Sequence, residues 1–84
     1  MADPLPYADA LAELQAVADA RGHAVRRLEG CRHQLVSPAG VVMCTLSMRH
    51  GVPTIQHGWY SIFLHDRSDA RSAAARITHP TGSY

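Results

Sequence analysis

The 84-residue chain has no lysine, no asparagine, two cysteines, one tryptophan and one phenylalanine. Each scarcity removes something. Cys31 and Cys44 are too few for a disulfide-dense secreted scaffold, and they form no Cys-x-x-Cys pair of the kind that makes a zinc knuckle. No apolar run approaches the roughly 20 residues needed to span a bilayer. The opening Met-Ala-Asp-Pro is acidic and lacks the apolar stretch of a signal peptide. The expectation is therefore a cytoplasmic protein with no membrane partner, with both thiols reduced and buried as small hydrophobes on strands. Without lysine every cation is arginine. A GC-rich coding sequence is enough to explain that bias, but it has a consequence: the planar guanidinium pairs a phosphate through two donors, where lysine offers a point charge.

What is present is a single short domain, residues 1–84. A hydrophobic fraction of 46% argues against disorder. A chain this short supports a core two layers thick, which favours helices packed on a sheet. The net charge of +1 is unevenly placed. Residues 1–20 carry only acids, namely Asp3, Asp9, Glu13 and Asp19. Residues 21–50 set Arg21, Arg26, Arg27, Arg32 and Arg49 against Glu29 alone. An acidic helix followed by a basic sheet can orient a phosphate-bearing partner.

The fold class expected is α+β. A helix is predicted from Tyr7 to Arg21, with Pro6 at its front, Gly22 as its stop, and Leu11, Leu14 and Val17 or Ala18 on its inner stripe. A three-stranded antiparallel meander follows: His23–Leu28, Cys31–Val36 and Val41–Met48. Its turns are Glu29-Gly30 and Ser37-Pro38-Ala39-Gly40. His50 to Pro53 reads as a loop. Trp59 to Leu64 reads by propensity as a fourth strand, with the first turns of a buried helix as the other reading. As an aromatic run in so small a domain it is expected to supply core area rather than stack bases. Ala70 to Ile77 reads as a C-terminal helix capped by Asp66 or Ser68, and the tail from Thr78 as frayed. If Ser37 faces Gly40, then His33 faces Cys44, Leu35 faces Val42 and Cys31 faces Leu46. These share the helix-facing side, while Arg32, Gln34 and Val36 share the other with Val41, Met43 and Thr45.

Three sets of residues bear on chemistry. Cys31, His33, Cys44 and His50 are metal-ligand types at no compact spacing, so no metal and no cofactor is expected. Cys31 or Cys44 beside His33 is the composition of a thiolate nucleophile, without an evident third group to orient it. His33 among Arg26, Arg27 and Arg32 has the composition of metal-free RNA cleavage, in which an imidazole moves protons and guanidiniums hold the phosphate. The alternative to that last reading is a solvated, arginine-guarded sheet edge.

The stretch from Gly22-His23 through Gly30-Cys31-Arg32-His33 to Ser37-Pro38-Ala39-Gly40 resembles the HicA-type mRNA interferase toxins. Those proteins have a helix ending in Gly, a basic strand, a Gly-Ser-His-His-like turn and a His-Pro-Asp-Gly-like turn. The resemblance covers residues 7 to 49. Cys31 stands where the family has Ser, Arg32 where it has the catalytic His, and Ala39 where it has Asp. It implies an α-β-β-β-α fold like a double-stranded-RNA-binding domain, RNA cleavage without metal, and a cognate antitoxin as partner. On this reading His33 is the general base or acid, and Arg26, Arg27, Arg32 and Arg49 contact RNA. The alternative is a non-catalytic protein-interaction module of a phage or mobile element, docking by a sheet edge or by its aromatic segment.

Overall fold

A computed structural model describes residues 4–78. The element order is α1 (Tyr7–Arg21), β1 (Ala24–Leu28), β2 (Arg32–Val36), β3 (Val42–Arg49), β4 (Val52–His57), β5 (Tyr60–Phe63) and α2 (Arg67–Ile77). The strands form one antiparallel meander in the order β1-β2-β3-β4-β5. The chain is thus α+β with an N-terminal helix, a five-stranded sheet and a C-terminal helix. No helix among the described residues is long and apolar enough to cross a membrane.

Local chemistry sets the boundaries. α1 ends where Gly22 takes φ 73°, the left-handed conformation that closes a helix, and the His23 N–H returns to the Ala18 carbonyl at 2.8 Å. α2 begins at Asp66, whose carboxylate accepts the Asp69 N–H at 2.8 Å. Asp69 in turn accepts the His65 N–H at 3.0 Å, so the two acids cap the helix reciprocally. The line that α1 buries is Ala10, Leu14 and Ala18, with Leu11 and Val17 at its flanks. α2 buries Ala70, Ala73, Ala74 and Ile77. These small side chains let the two helices lie close together over the sheet. Arg67 bridges Asp9 at 3.0 Å and Glu13 at 3.1 Å, and Arg71 bridges Glu13 at 2.9 Å. The Arg71 hydrogen bond, aided by Arg67, holds the Glu13 carboxyl below the usual carboxylate range.

Beneath the helices lie Leu35, Cys44, Leu46 and Ile55, all buried, with Val25 and Ile62 packed beside them. Cross-strand pairing joins them in a row: Val25 to Leu35, Leu35 to Cys44, Leu46 to Ile55, Ile55 to Ile62. Side chains alternate along each strand, so the intervening residues lie on the opposite face, which neither helix covers; Thr54 is nonetheless buried there.

Several expectations need correction. The sheet has five strands rather than three or four, because His50 to Pro53 is not a loop. His50 and Gly51 alone make the turn, at φ 53° and 75°, and Val52 already pairs with Arg49. Positive φ at both central residues matches the strand twist, as in a type I′ turn. Pro53 sits inside a central strand at little cost, since β5 stops at Phe63, opposite Thr54, and Pro53 serves there only as the acceptor for Leu64 at 2.9 Å.

The register across β2 and β3 is also shifted. His33 faces Leu46 rather than Cys44, and Leu35 faces Cys44 rather than Val42. Ser37 faces Val41 rather than Gly40, donating its N–H to the Val41 carbonyl at 2.8 Å, while the Gly40 N–H donates to the Ser37 carbonyl at 2.9 Å within the turn, and a bulge beyond Leu35 takes up Met43. A displacement by two keeps Cys44 and Leu46 on the helix-facing side, but the bulge exchanges Val42 and Met43: Val42 pairs with Val36 on the opposite face and is exposed, while Met43 packs against the core. Cys31 is exposed in the turn rather than buried on a strand. The aromatic run does form β5, but its rings are not core. Trp59 is 92% exposed, and Tyr60 and Phe63 are each 41% exposed; from this segment the fully buried side chain is Leu64. Thr78 is buried and donates its N–H to Ala74, so fraying does not begin there. Residues 79–84, to which the frayed tail was also assigned, and Asp3 lie outside the described residues.

Candidate functional site

The strongest candidate constellation sits where α1 meets the β1–β2 hairpin. Tyr7 is the first residue of α1, and the helix axis carries its ring over the sheet to His33 on β2. The Tyr7 hydroxyl lies 2.8 Å from His33 Nδ1 and donates to the Leu46 carbonyl at 3.1 Å. A hydroxyl has one proton. If that proton goes to Leu46, His33 must donate from Nδ1, and the neutral ring carries its lone pair on Nε2. The rings of Tyr7 and His33 are 5.6 Å apart, centre to centre.

Arg27 on β1 lies directly opposite His33 in the ladder, and so on the same face. Burial lowers the His33 pKa, and the nearby Arg27 charge pushes it further in the same direction. The ring is therefore neutral at pH 7 and available to take a proton. Burial lifts the Tyr7 phenol to about 12, with Cys31 adding to the effect, so Tyr7 remains a protonated hydrogen-bonding group. A cleft of about 410 Å³ opens beside them, lined by Tyr7, Ala8, Leu11, Arg27, Cys31 and His33. Its walls can do two things chemically: accept a proton at an imidazole and neutralise an anion with a guanidinium.

The five residues singled out from the sequence divide between the two faces of the sheet. His33 and Arg27 come together at the cleft. Arg26 pairs with Gln34 on the other face, where its guanidinium donates to the Gln34 side-chain oxygen at 3.0 Å. Arg32 pairs with Leu28, and Arg49 with Val52; both are exposed, and by alternation both lie on the uncovered face with Arg26.

The two thiols part company as well. Cys44 is in the core, where burial pushes it up to about 12 against a hydrogen bond from Leu35, so it is not a thiolate. Cys31 lines the cleft. Among the described residues no group of three or more His, Cys, Asp or Glu is placed to hold a metal ion. The participant that the sequence did not reveal is Tyr7. It lies outside the buried line of α1, and its partners, 26 and 39 residues away, become visible only once the chain folds.

Replacing Tyr7 by Phe should cost about 1–2 kcal/mol in urea unfolding, because the Leu46 carbonyl and His33 Nδ1 each lose a partner. The pH dependence follows from His33. Its folded pKa lies below 6.5, so on acidification the unfolded chain takes a proton that the folded chain resists. This contribution is complete above pH 6.5 and is lost as the pH falls below it. His33→Gln should flatten that part of the stability profile; an unchanged profile would show that His33 does not feel its surroundings in this way.

Comparison of the chain with protein-family models, with curated proteins and with solved structures finds no match.

Proposed function

We propose that this chain is a small RNA-binding domain that takes the RNA backbone across the uncovered face of its sheet. One observation carries the reading: the charged side chains that alternation sends to that face, Arg26, Arg32 and Arg49, are all cationic. Two of the three carboxylates of α1, by contrast, are paired with arginines on the helical side. Asp9 and Glu13 bind Arg67 and Arg71, so they do not offset the arginines of the sheet. Gln34, Thr45, Gln56 and Ser61 share the uncovered face and add neutral hydrogen-bonding groups. Phe63, half exposed on the same face, offers a ring on which a base can stack. RNA is preferred over DNA on the resemblance to HicA-type toxins, which also brings an antitoxin protein as the corresponding partner.

Binding through three phosphate contacts fixes the salt response. For a single strand the logarithm of affinity should fall with the logarithm of salt at a slope of about −2. Each of Arg26→Ala, Arg32→Ala and Arg49→Ala should reduce that slope by roughly 0.7. Fluorescence anisotropy of a labelled oligonucleotide at several salt concentrations measures both. Affinity independent of salt would exclude phosphate binding as the function of this face.

A second reading, cleavage of RNA that enters the cleft on the helical side, is favoured by the pairing of His33 with Arg27. Nε2 would remove the proton of a ribose 2′-hydroxyl. The resulting oxygen would attack the adjacent phosphorus, while Arg27 neutralises the non-bridging oxygens. The 5′-oxygen would leave with the proton returned by the imidazolium, giving a cyclic phosphate and a 5′-hydroxyl. Because His33 and the arginines of the uncovered face are on opposite sides of the sheet, binding and cleavage separate. His33→Ala should lower the cleavage rate by about 10²-fold or more and leave affinity unchanged; undiminished cleavage removes His33 from the reaction.

A further inference from the structure

The two edges of the sheet differ in kind. β1, at one edge, carries Arg26 and Arg27, and such charges oppose pairing with a second copy of the same strand. β5, at the other edge, has no such guard. From Gly58 to Leu64 the chain carries no charged residue, and Trp59, Tyr60 and Phe63 stand in solvent. Among the described residues the main chain of β5 is paired on one side only, with β4. Leu64 donates to Pro53 on β4. By the alternation of an antiparallel ladder, Ile62 and Tyr60 also direct their N–H and C=O groups at β4, while those of Ser61 and Phe63 point away from the sheet.

We propose that β5 is a homodimer edge, at which two copies pair antiparallel about a two-fold axis centred on Ser61. This arrangement satisfies the outward groups of Ser61 reciprocally and keeps each face of the sheet continuous across the junction. It sets Trp59 opposite Phe63 of the second copy, and Tyr60 opposite Ile62, so that each exposed ring gains a cross-strand apolar neighbour. A second copy suits this edge better than a charged partner does, because the strand offers backbone and rings but no ion to pair. An edge strand whose two-fold mate is itself needs no other complementary surface.

The rings expose roughly 350 Å² per copy, or roughly 700 Å² for the pair, which places the contact at the weak end of specific interfaces. The product is a ten-stranded sheet with the arginines of β1 and β2 at its two outer ends.

Sedimentation velocity on nucleic-acid-free protein in high salt tests this independently of any RNA. Between about 1 and 200 µM the mass should rise from one chain toward two. Two variants leave β4–β5 pairing intact. Trp59→Lys places like charges at the junction, and Ser61→Pro removes an N–H that points away from β4. Each should remain a single chain at about 200 µM with an unchanged circular dichroism spectrum. A wild-type chain that stays single throughout overturns the proposal, and so does a dimer that survives both substitutions.

Discussion

Two short helices can cover only one face of a five-stranded sheet, and the period-two alternation of β-strands decides which residues go beneath them. Leu35, Cys44, Leu46 and Ile55 are drawn under α1 and α2 because they are apolar residues that alternation and pairing align on one face. Their neighbours in sequence are then forced outward whatever their chemistry. The placement of Arg26, Arg32 and Arg49 on a single solvent-facing side is thus a by-product of core formation. The same rule places His33 and Arg27 inside the rim of the covered face, where Tyr7 reaches them.

The two faces of the sheet are consequently built differently. The uncovered face is a broad array of side chains held only by the strands, with Arg26 steadied by Gln34. The cleft is a fixed constellation. The Tyr7 hydroxyl links a helix to two strands through His33 and the Leu46 carbonyl, and that contact at Nδ1 holds the orientation of the ring. The ion pairs of Arg67 and Arg71 with Asp9 and Glu13 also hold α1 to α2, and so keep Tyr7 in place at the far side of the helix layer.

Much of the architecture was legible because its signals are local. Pro6 and Gly22 bracket α1 at its observed limits, Asp66 caps α2, and Ser37 to Gly40 turns the chain between β2 and β3. β4 was not legible, because His50-Gly51 turns the chain through a non-glycine residue at positive φ and Pro53 masks the strand that follows. The fate of the aromatics was not legible either. Propensity placed Tyr60 to Phe63 in a strand, but only the topology shows that this strand lies at an edge with its rings uncovered. Of the candidate site, the residue types were visible in the sequence and the faces followed from alternation. The register, the bulge at Met43 and the approach of Tyr7 required the tertiary fold.

The proposed division of tasks between the two faces, with RNA on the open one, has a direct test. Titrating isotope-labelled protein with a short single-stranded RNA and following its amide and guanidinium resonances tests that most directly. The account predicts perturbations at Arg26, Arg32, Gln34, Thr45 and Gln56, with the solvent-facing residues of α1 and α2 unmoved. Perturbations confined to the helices, or none in low salt, would contradict it.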